Sequence, residues 1–275
     1  MPSQNLQEIV EYRGVEGLVA AEVLTDENDG AGYTTGNVFS IAGVAEISKS
    51  TDSSNEAHYY DNSPAVVVSS TASDEVTITT SAIPFDVLAE ITGQDYDSTT
   101  GSLIEGTRDL KYFALGYKTK KTNGDEIYVW RYKGTFNIPS QTNSTENDST
   151  DGNGQEITYT GISTTHRFNK TGKGAKALNV DVGKGLADVS TFFDTVTTPD
   201  DLDVLTYSLT ITQAAGTTVT VTKNGQDITS GATLNKNDVL TISVTGGTLT
   251  VNGNVFTSGQ TLTVTGNVVV VSTAA

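Results

Sequence analysis

The two histidines, His58 and His166, are the chain's whole supply of imidazole, and cysteine is absent. Thiolate metal sites and disulfides are therefore excluded, and nothing in the cysteine usage demands an oxidising compartment. A zinc site or a Ser/His/Asp triad would have to use one of two histidines far apart in sequence, each among polar neighbours, and ordinary surface or interface positions are the simpler expectation. No Gly-x-Ser-x-Gly elbow is present. TGKGAKAL at 171–178 has the glycine and lysine of a phosphate loop but not the GxxxxGK[ST] spacing, so a plain loop is expected. NDSTDGNGQE at 147–156 approaches a calcium loop, with Asn147, Ser149, Asp151 and Gly152 matching in kind or spacing. Thr158, however, stands where a bidentate Glu is required. DENDGAG at 26–32 fails similarly, with Gly30 in place of an acidic ligand. The expectation is no catalytic residue, no cofactor and no metal.

A second kind of chemistry is electrostatic. The chain has 275 residues and net charge −17, yet between Arg108 and Lys133 seven basic residues stand against three acids, a local excess of four that leaves the rest at −21. Such acidity opposes nucleic-acid affinity, which rests on Lys and Arg displacing counterions from phosphate, but it suits a wall past which DNA must slide without sticking. The start of the chain lacks a cationic segment followed by an apolar run, and no stretch approaches a membrane span. A soluble protein made without a secretion signal is expected.

The elements that must carry these residues are mostly strands. Short runs of Val, Ile, Thr and Tyr are separated by Gly, Asn, Asp and Ser, the habit of a mainly β sandwich or barrel. Strands are expected over 17–24, 37–49, 65–70, 75–80, 110–119, 127–137 and 157–167. Two helices interrupt them: PFDVLAEITG, opened by Pro84 and stopped by Gly93, and GLADVSTFFDTV, with Leu186, Val189, Phe192, Phe193 and Val196 on one stripe. Residues 49–64 and 139–155 are polar and longer than ordinary hairpin connections, so they are expected as functional loops or disordered segments.

Asn123-Gly124 between two alternating runs signals a hairpin. Under a two-residue turn Tyr117 faces Trp130, which puts Phe113, Leu115, Tyr117, Tyr128, Trp130 and Tyr132 on one face as core. Lys118, Lys120, Arg131 and Lys133 then share the other as an exposed basic stripe. The stripe reads as a solvated face, as a contact for an acidic surface of an identical neighbour, or as a DNA contact that the acidic remainder opposes.

Beyond TTPDDLDV the composition changes, and KNGQDITSGATL (223–234) returns as VNGNVFTSGQTL (251–262) at an offset of 28 residues. A repeated hairpin plus strand follows, with Asn224-Gly225 and Asn252-Gly253 as type I′ turns. The division expected is a domain over 1–198, a linker over 199–205 and a small β-repeat domain over 206–275.

VEGLVAAEVLTDENDGAGYTTGNVFSIAGVAEISKS, EAHYYDNSPA, IPFDVLAEITGQDYDSTTGSLIE, KYFALGYKTKKTNGDEIYVWRYKGTFNIPS and GLADVSTFFDTV, taken in order, resemble the major tail proteins of long-tailed bacteriophages over most of residues 10–198. The resemblance implies a tail-tube-type β-sandwich flanked by a helix. It also implies assembly into hexameric rings, stacked as a tube through which the genome leaves the virion. Partners implied are copies of itself and the tape-measure, tail terminator and tail-tip proteins, with DNA passing unbound and no membrane. By position, the stacking loop of that family falls on residues 49–64, with Tyr59 and Tyr60 as anchors and Asn55, Glu56 and Asp61 as polar contacts. The C-terminal segment resembles the immunoglobulin-like β modules appended to virion proteins. A glycan-binding adhesin is the alternative reading of the threonine-rich repeat.

Overall fold

A computed structural model describes residues 9–60, 62–143 and 154–275. The chain divides into two units, one of residues up to Gly183 plus Ser190–Asp201, the other of Lys184–Val189 plus Leu202–Ala275. The expected linker over 199–205 is thus not a free connection. Leu205 N donates to Leu186 O and Asp188 N to Asp203 O, both at 2.9 Å, so residues 202–205 pair with 186–188 inside the second unit.

In the first unit the strands are β1 (Tyr12–Asp26), β2 (Tyr33–Thr35), β3 (Phe39–Ser40), β4 (Val44–Tyr60) and β5 (Ser63–Thr80). After helix α1 (Phe85–Thr92) come β6 (Asp95–Asp97), β7 (Ser102–Ile104), β8 (Phe113–Lys121), β9 (Glu126–Phe136), β10 (Ser140–Gln141), β11 (Gln155–Ile162) and β12 (Ala177–Asp181). Ten of these form one sheet along the path β2-β1-β8-β9-β11-β5-β4, with β3, β10 and β12 attached at its sides. Strict alternation decides which face turns inward: Val76 and Ile78 on β5, and Ile157 and Tyr159 on β11, are fully buried while the residues between them are not. Val15 of β1 and Ile47 of β4 reach the same core from opposite ends of the path, so the sheet curls around it.

Helix α1 follows its sequence signals. Leu88 N donates to Pro84 O, and Gly93 closes the helix in the left-handed region at φ 71°. At eight residues it is too short to persist alone and depends on docking Leu88 and Ile91 into the core, each worth about 1.5–3 kcal/mol. Arg108 fixes its end, donating to Thr92 O and Phe136 O at 2.6 Å each. The expected second helix does not form. Residues 190–196 are turns, because the Phe192 carbonyl that would serve the helix accepts instead from Trp130 Nε1 (2.8 Å) and the Thr197 hydroxyl (3.0 Å).

The second unit is all β: β13 (Thr206–Thr212), β14 (Thr218–Lys223), β15 (Gln226–Ile228), β16 (Thr233–Asn235), β17 (Val239–Thr245), β18 (Gly247–Val251), β19 (Asn254–Phe256), β20 (Gln260–Thr263) and β21 (Val268–Ala274). Two sheets, β16-β13-β21-β18-β19 and β15-β14-β17-β20, enclose one core around Leu209, Leu234, Leu240, Ile242 and Val270. The repeat is structural. Both Asn-Gly pairs have positive φ at both residues, as type I′ requires, and close two-residue turns. In the Thr-Ser-Gly that follows, Ser230 Oγ accepts from Ile211 N and Ser258 Oγ from Val244 N, each at 2.9 Å.

Candidate assembly surfaces

The stretch expected as a loop at 49–64 is instead most of a long hairpin. β4 and β5 pair from Val44↔Thr80 out to Tyr60↔Ser63. The reason lies beyond the polar loop residues: Val66, Val67 and Val68 give the returning strand strong β character, and serine and threonine tolerate the extended conformation opposite them. β11 accompanies β5 only from Thr80 to Asp74. Past that point residues 52–60 and 63–73 form a two-stranded ribbon with no further strand beside either edge among the described residues. At about 3.3 Å per residue it reaches roughly 30 Å beyond the sheet. Asn55 pairs with Ser69, Glu56 with Val68 and Tyr59 with Pro64, while Tyr60, 63% exposed, stands at the end. Asp61 lies outside the described residues.

The ribbon's root is pinned by a buried carboxylate. Asp74, on the same inward parity as Val76 and Ile78, accepts from Arg131 Nη1 at 2.7 Å, Thr51 Oγ1 at 2.9 Å and Lys176 Nζ at 3.2 Å, with Lys49 Nζ at 3.8 Å. Burial pushes its carboxyl up. The hydrogen bonds from Thr51 and Lys176 and the charges of Lys49 and Arg131 outweigh this and hold it below the usual carboxylate range.

The exposed basic stripe is not found. Gly124, at φ 92°, closes a longer turn in which Lys121 N donates to Asp125 O. The register therefore slips by one: Tyr117 faces Val129, Gly116 faces Trp130 and Lys118 faces Tyr128. A one-residue slip exchanges faces. Arg131 consequently turns inward with Leu115 and Val129 and is 5% exposed, held by Asp74. Lys133 pairs with Asp26 at 2.6 Å and lies over the Tyr112 ring. Lys118 sits over the Tyr128 and Phe193 rings, and Lys120 bridges Glu16 (3.2 Å) and Glu126 (3.4 Å). Each of the four is engaged within its own chain, and Lys118 and Lys120 keep partial exposure.

The aromatic residues divide in turn. Phe113, Leu115 and Tyr117 stay in the main core. Tyr128, Trp130 and Tyr132 face a second layer built from Tyr33, Phe168, Phe192 and Phe193, with ring centroids 4.9–5.9 Å apart. Their polar tips are satisfied: the Tyr132 phenol donates to Thr197 O at 3.1 Å and the Tyr33 phenol to Tyr132 O at 2.6 Å.

Three aspartates missing from the sequence reading organise the loops. Asp74 was visible in principle, as a charge at inward parity in DEVTIT. Asp26, the first residue of the failed calcium pattern, accepts from the backbone N–H groups of Thr165 and His166 at 2.8 Å and from Lys133. Asp200 accepts from the N–H groups of Asn169 and Lys170, also at 2.8 Å, so a carboxylate of the chain itself fills the anion-binding backbone before TGKG. His166 receives the Phe168 ring edge-on and its Nδ1 meets Glu27 O at 3.0 Å, whereas His58 lies on the ribbon, paired with Val66. The calcium-like stretch at 147–156 falls largely outside the described residues. Among the described residues no group of three or more His, Asp or Glu side chains gathers as a metal site, and no helix is long and apolar enough to cross a membrane.

These surfaces offer strand edges and a projecting ribbon, features that invite association with further copies. No curated protein matches the chain. A family model described as phage tail tube protein matches residues 5–192, more than half of the chain, over the unit that carries the curled sheet and the ribbon. The chain therefore belongs to the phage tail tube protein family, whose members are structural components of the virion tail.

Proposed function

We propose that copies of this chain close into hexameric rings, that the rings stack into the tail tube, and that the ribbon of β4 and β5 spans from one ring to the next. One observation carries this: over residues 52–60 and 63–73 each strand has, among the described residues, only its hairpin partner beside it. An isolated two-stranded hairpin is marginal in water, and a long unpaired edge invites association. Neighbouring copies supply the missing strands, and ring closure satisfies every edge without open-ended aggregation. Asn55, Glu56, Tyr59, Tyr60 and Asp61 are the inter-ring residues of this reading.

Of the four cations of the β8–β9 hairpin, this reading sets Lys118 and Lys120 against the neighbouring copy, because they keep partial exposure while Arg131 and Lys133 have side chains more nearly enclosed with Asp74 and Asp26. The surplus carboxylates of a chain at −17 then line the lumen, where phosphate within about 10 Å is repelled and the genome passes unbound at ejection. The tape-measure, terminator and tail-tip proteins are the partners at the ends of such a tube.

Negative-stain electron microscopy of the concentrated protein tests the reading. Rings or hollow rods are expected, and a variant in which residues 53–71 are replaced by a two-residue turn should stay folded and form neither. Rods from the shortened variant, indistinguishable from those of the full chain, overturn the role of the ribbon.

A further inference from the structure

Four Asn-Gly steps occur in the chain, and this pairing is chemically fragile: glycine carries no side chain to shield its N–H and lets the backbone swing through conformations closed to other residues. Asn123-Gly124, Asn224-Gly225 and Asn252-Gly253 lie among the described residues, and Asn153 of the fourth does not. Loss of the amide begins when the glycine nitrogen attacks the asparagine Cγ. A C–N bond forms, the Cγ–Nδ2 bond breaks, and Nδ2 leaves as ammonia with the proton of the glycine N–H. Water then opens the cyclic imide at either carbonyl, giving aspartate or isoaspartate. Ring closure needs the turn peptide to rotate, so the hydrogen bonds that fix the carboxamide or the turn must first break.

The three turns differ in how firmly they are held. At Asn123 both reacting groups are occupied: Nδ2 donates to Asp125 Oδ2 at 2.9 Å, Oδ1 accepts from Asp125 N at 3.1 Å, and Gly124 N donates to Lys121 O at 2.9 Å. At Asn252, Oδ1 accepts from Val269 N and the backbone N donates to Val269 O, both at 2.8 Å, so rotation would tear the turn from β21. Asn224 and Gly225 are both exposed, and neither the Asn224 carboxamide nor the Gly225 N–H holds a hydrogen bond to any described residue. Their turn is fixed only by the pairing of Lys223 with Gln226, at the start of β15, a strand of 3 residues on the edge of its sheet.

We infer that Asn224 is a site of spontaneous modification in the second unit, turning to aspartate and isoaspartate as the protein ages, while Asn252, its equivalent in the repeat, is kept as asparagine by its bonds to β21. Each event adds a negative charge next to Lys223. The isoaspartyl product also adds a backbone carbon to a two-residue turn, which cannot then keep the register of Lys223 with Gln226. Release of β15 leaves a free edge on β14.

Peptide mapping of the folded full chain, held at mildly alkaline pH, tests this, with enzymatic methylation of isoaspartate as a second readout. Asn224 is expected to convert about tenfold faster than Asn123 or Asn252, since each of those must give up two or three hydrogen bonds more. In urea, where the folded contacts are gone, the three rates should converge. Asn224→Gln should remove the isoaspartate signal of that turn and leave the rates at Asn123 and Asn252 unchanged. Conversion of Asn123 or Asn252 as fast as Asn224 in the folded chain overturns the inference. So does a gap among the three that persists in urea, or an Asn224 that converts only after unfolding.

Discussion

Asp74 Oδ2 lies 2.7 Å from Arg131 Nη1, with both side chains nearly excluded from solvent, at the residue where β5 parts from β11 and continues alone. The pair ties the root of the ribbon to β9 in the middle of the sheet. Removing one partner strands a buried charge, which costs about 3–5 kcal/mol. Asp74→Asn should therefore lower the melting temperature sharply, because it leaves the buried Arg131 guanidinium without its carboxylate, while Arg131→Met, which leaves Asp74 the contacts of Lys176, Lys49 and Thr51, should cost less. The sign of the pH dependence follows from the lowered carboxyl. Asp74 contributes stability above the ordinary carboxylate range, near pH 4, and loses it as pH falls through its lower folded value. Asp26 acts in the same direction. Thermal melts from pH 7 to pH 2 should show the decline in the unaltered chain and a flatter profile in Asp74→Asn.

Gly116 faces Trp130 across β8 and β9 at the register the slip created. A Cβ added there would stand 2.8 Å from both Trp130 Cζ3 and Val19 Cγ2, closer than packed atoms tolerate. Gly116→Ala is expected to destabilise by about 1–3 kcal/mol, the usual range for overpacking. Trp130 is the chain's single tryptophan, so its fluorescence reads the change without interference. Midpoints of urea unfolding should fall, and an unchanged midpoint would place the indole elsewhere.

Three phenols act as donors to backbone carbonyls, two on buried tyrosines and one on the half-buried Tyr33: Tyr33 to Tyr132 O, Tyr132 to Thr197 O and Tyr159 to Phe113 O. Burial raises all three above the ordinary tyrosine value. A group raised in the folded state supports folding fully below its unfolded value, near pH 10, and loses that support as pH climbs beyond it. Absorbance of tyrosinate should show these three phenols ionising only above that value, together with loss of the near-ultraviolet dichroism. Phe substitution at Tyr159, which keeps the ring and removes the ionisable group, should delay that loss.

Much of this was legible in the strand pattern, and the misreadings share a cause. The Val, Ile, Thr and Tyr runs at 75–80 and 157–167 marked strands without any structure, and Pro84 and Gly93 bounded α1. What failed was what a neighbour decides. Asn123-Gly124 marked the hairpin, but one extra turn residue moved Arg131 from an expected surface to the core, and no local signal distinguishes the two turns. The stripe of Leu186, Phe192 and Phe193 has helical spacing, yet Trp130 and Tyr128 bind the phenylalanines and Trp130 takes the carbonyl a helix would need. The ribbon was read as a loop because it is polar, although a strand with solvent on both faces must be polar. Asp26 and Asp200 could not be assigned, since the N–H groups they hold are 139 and 31 residues away.

The repeat in the second unit offers a test in which the two copies should differ. Asn224 and Asn252 both occupy the left-handed region, at φ 54° and 49°, where Asn is tolerated and Gly is easier. On turn geometry alone Asn→Gly would be neutral at both and Asn→Ala would cost about 1 kcal/mol at both. Asn252 carries a further duty. Its Oδ1 accepts from Val269 N at 2.8 Å, and its own N donates to Val269 O at 2.8 Å, which joins the β18–β19 turn to β21. Deleting that side-chain acceptor leaves the Val269 N–H to solvent and costs about another 1 kcal/mol. Asn224→Gly should therefore melt like the unaltered protein and Asn252→Gly measurably lower, with Asn252→Asp, which keeps an acceptor oxygen, recovering most of the difference. Equal melting of the two glycine variants would mean that the bond to β21 adds nothing, and that the copies of the repeat are energetically equivalent.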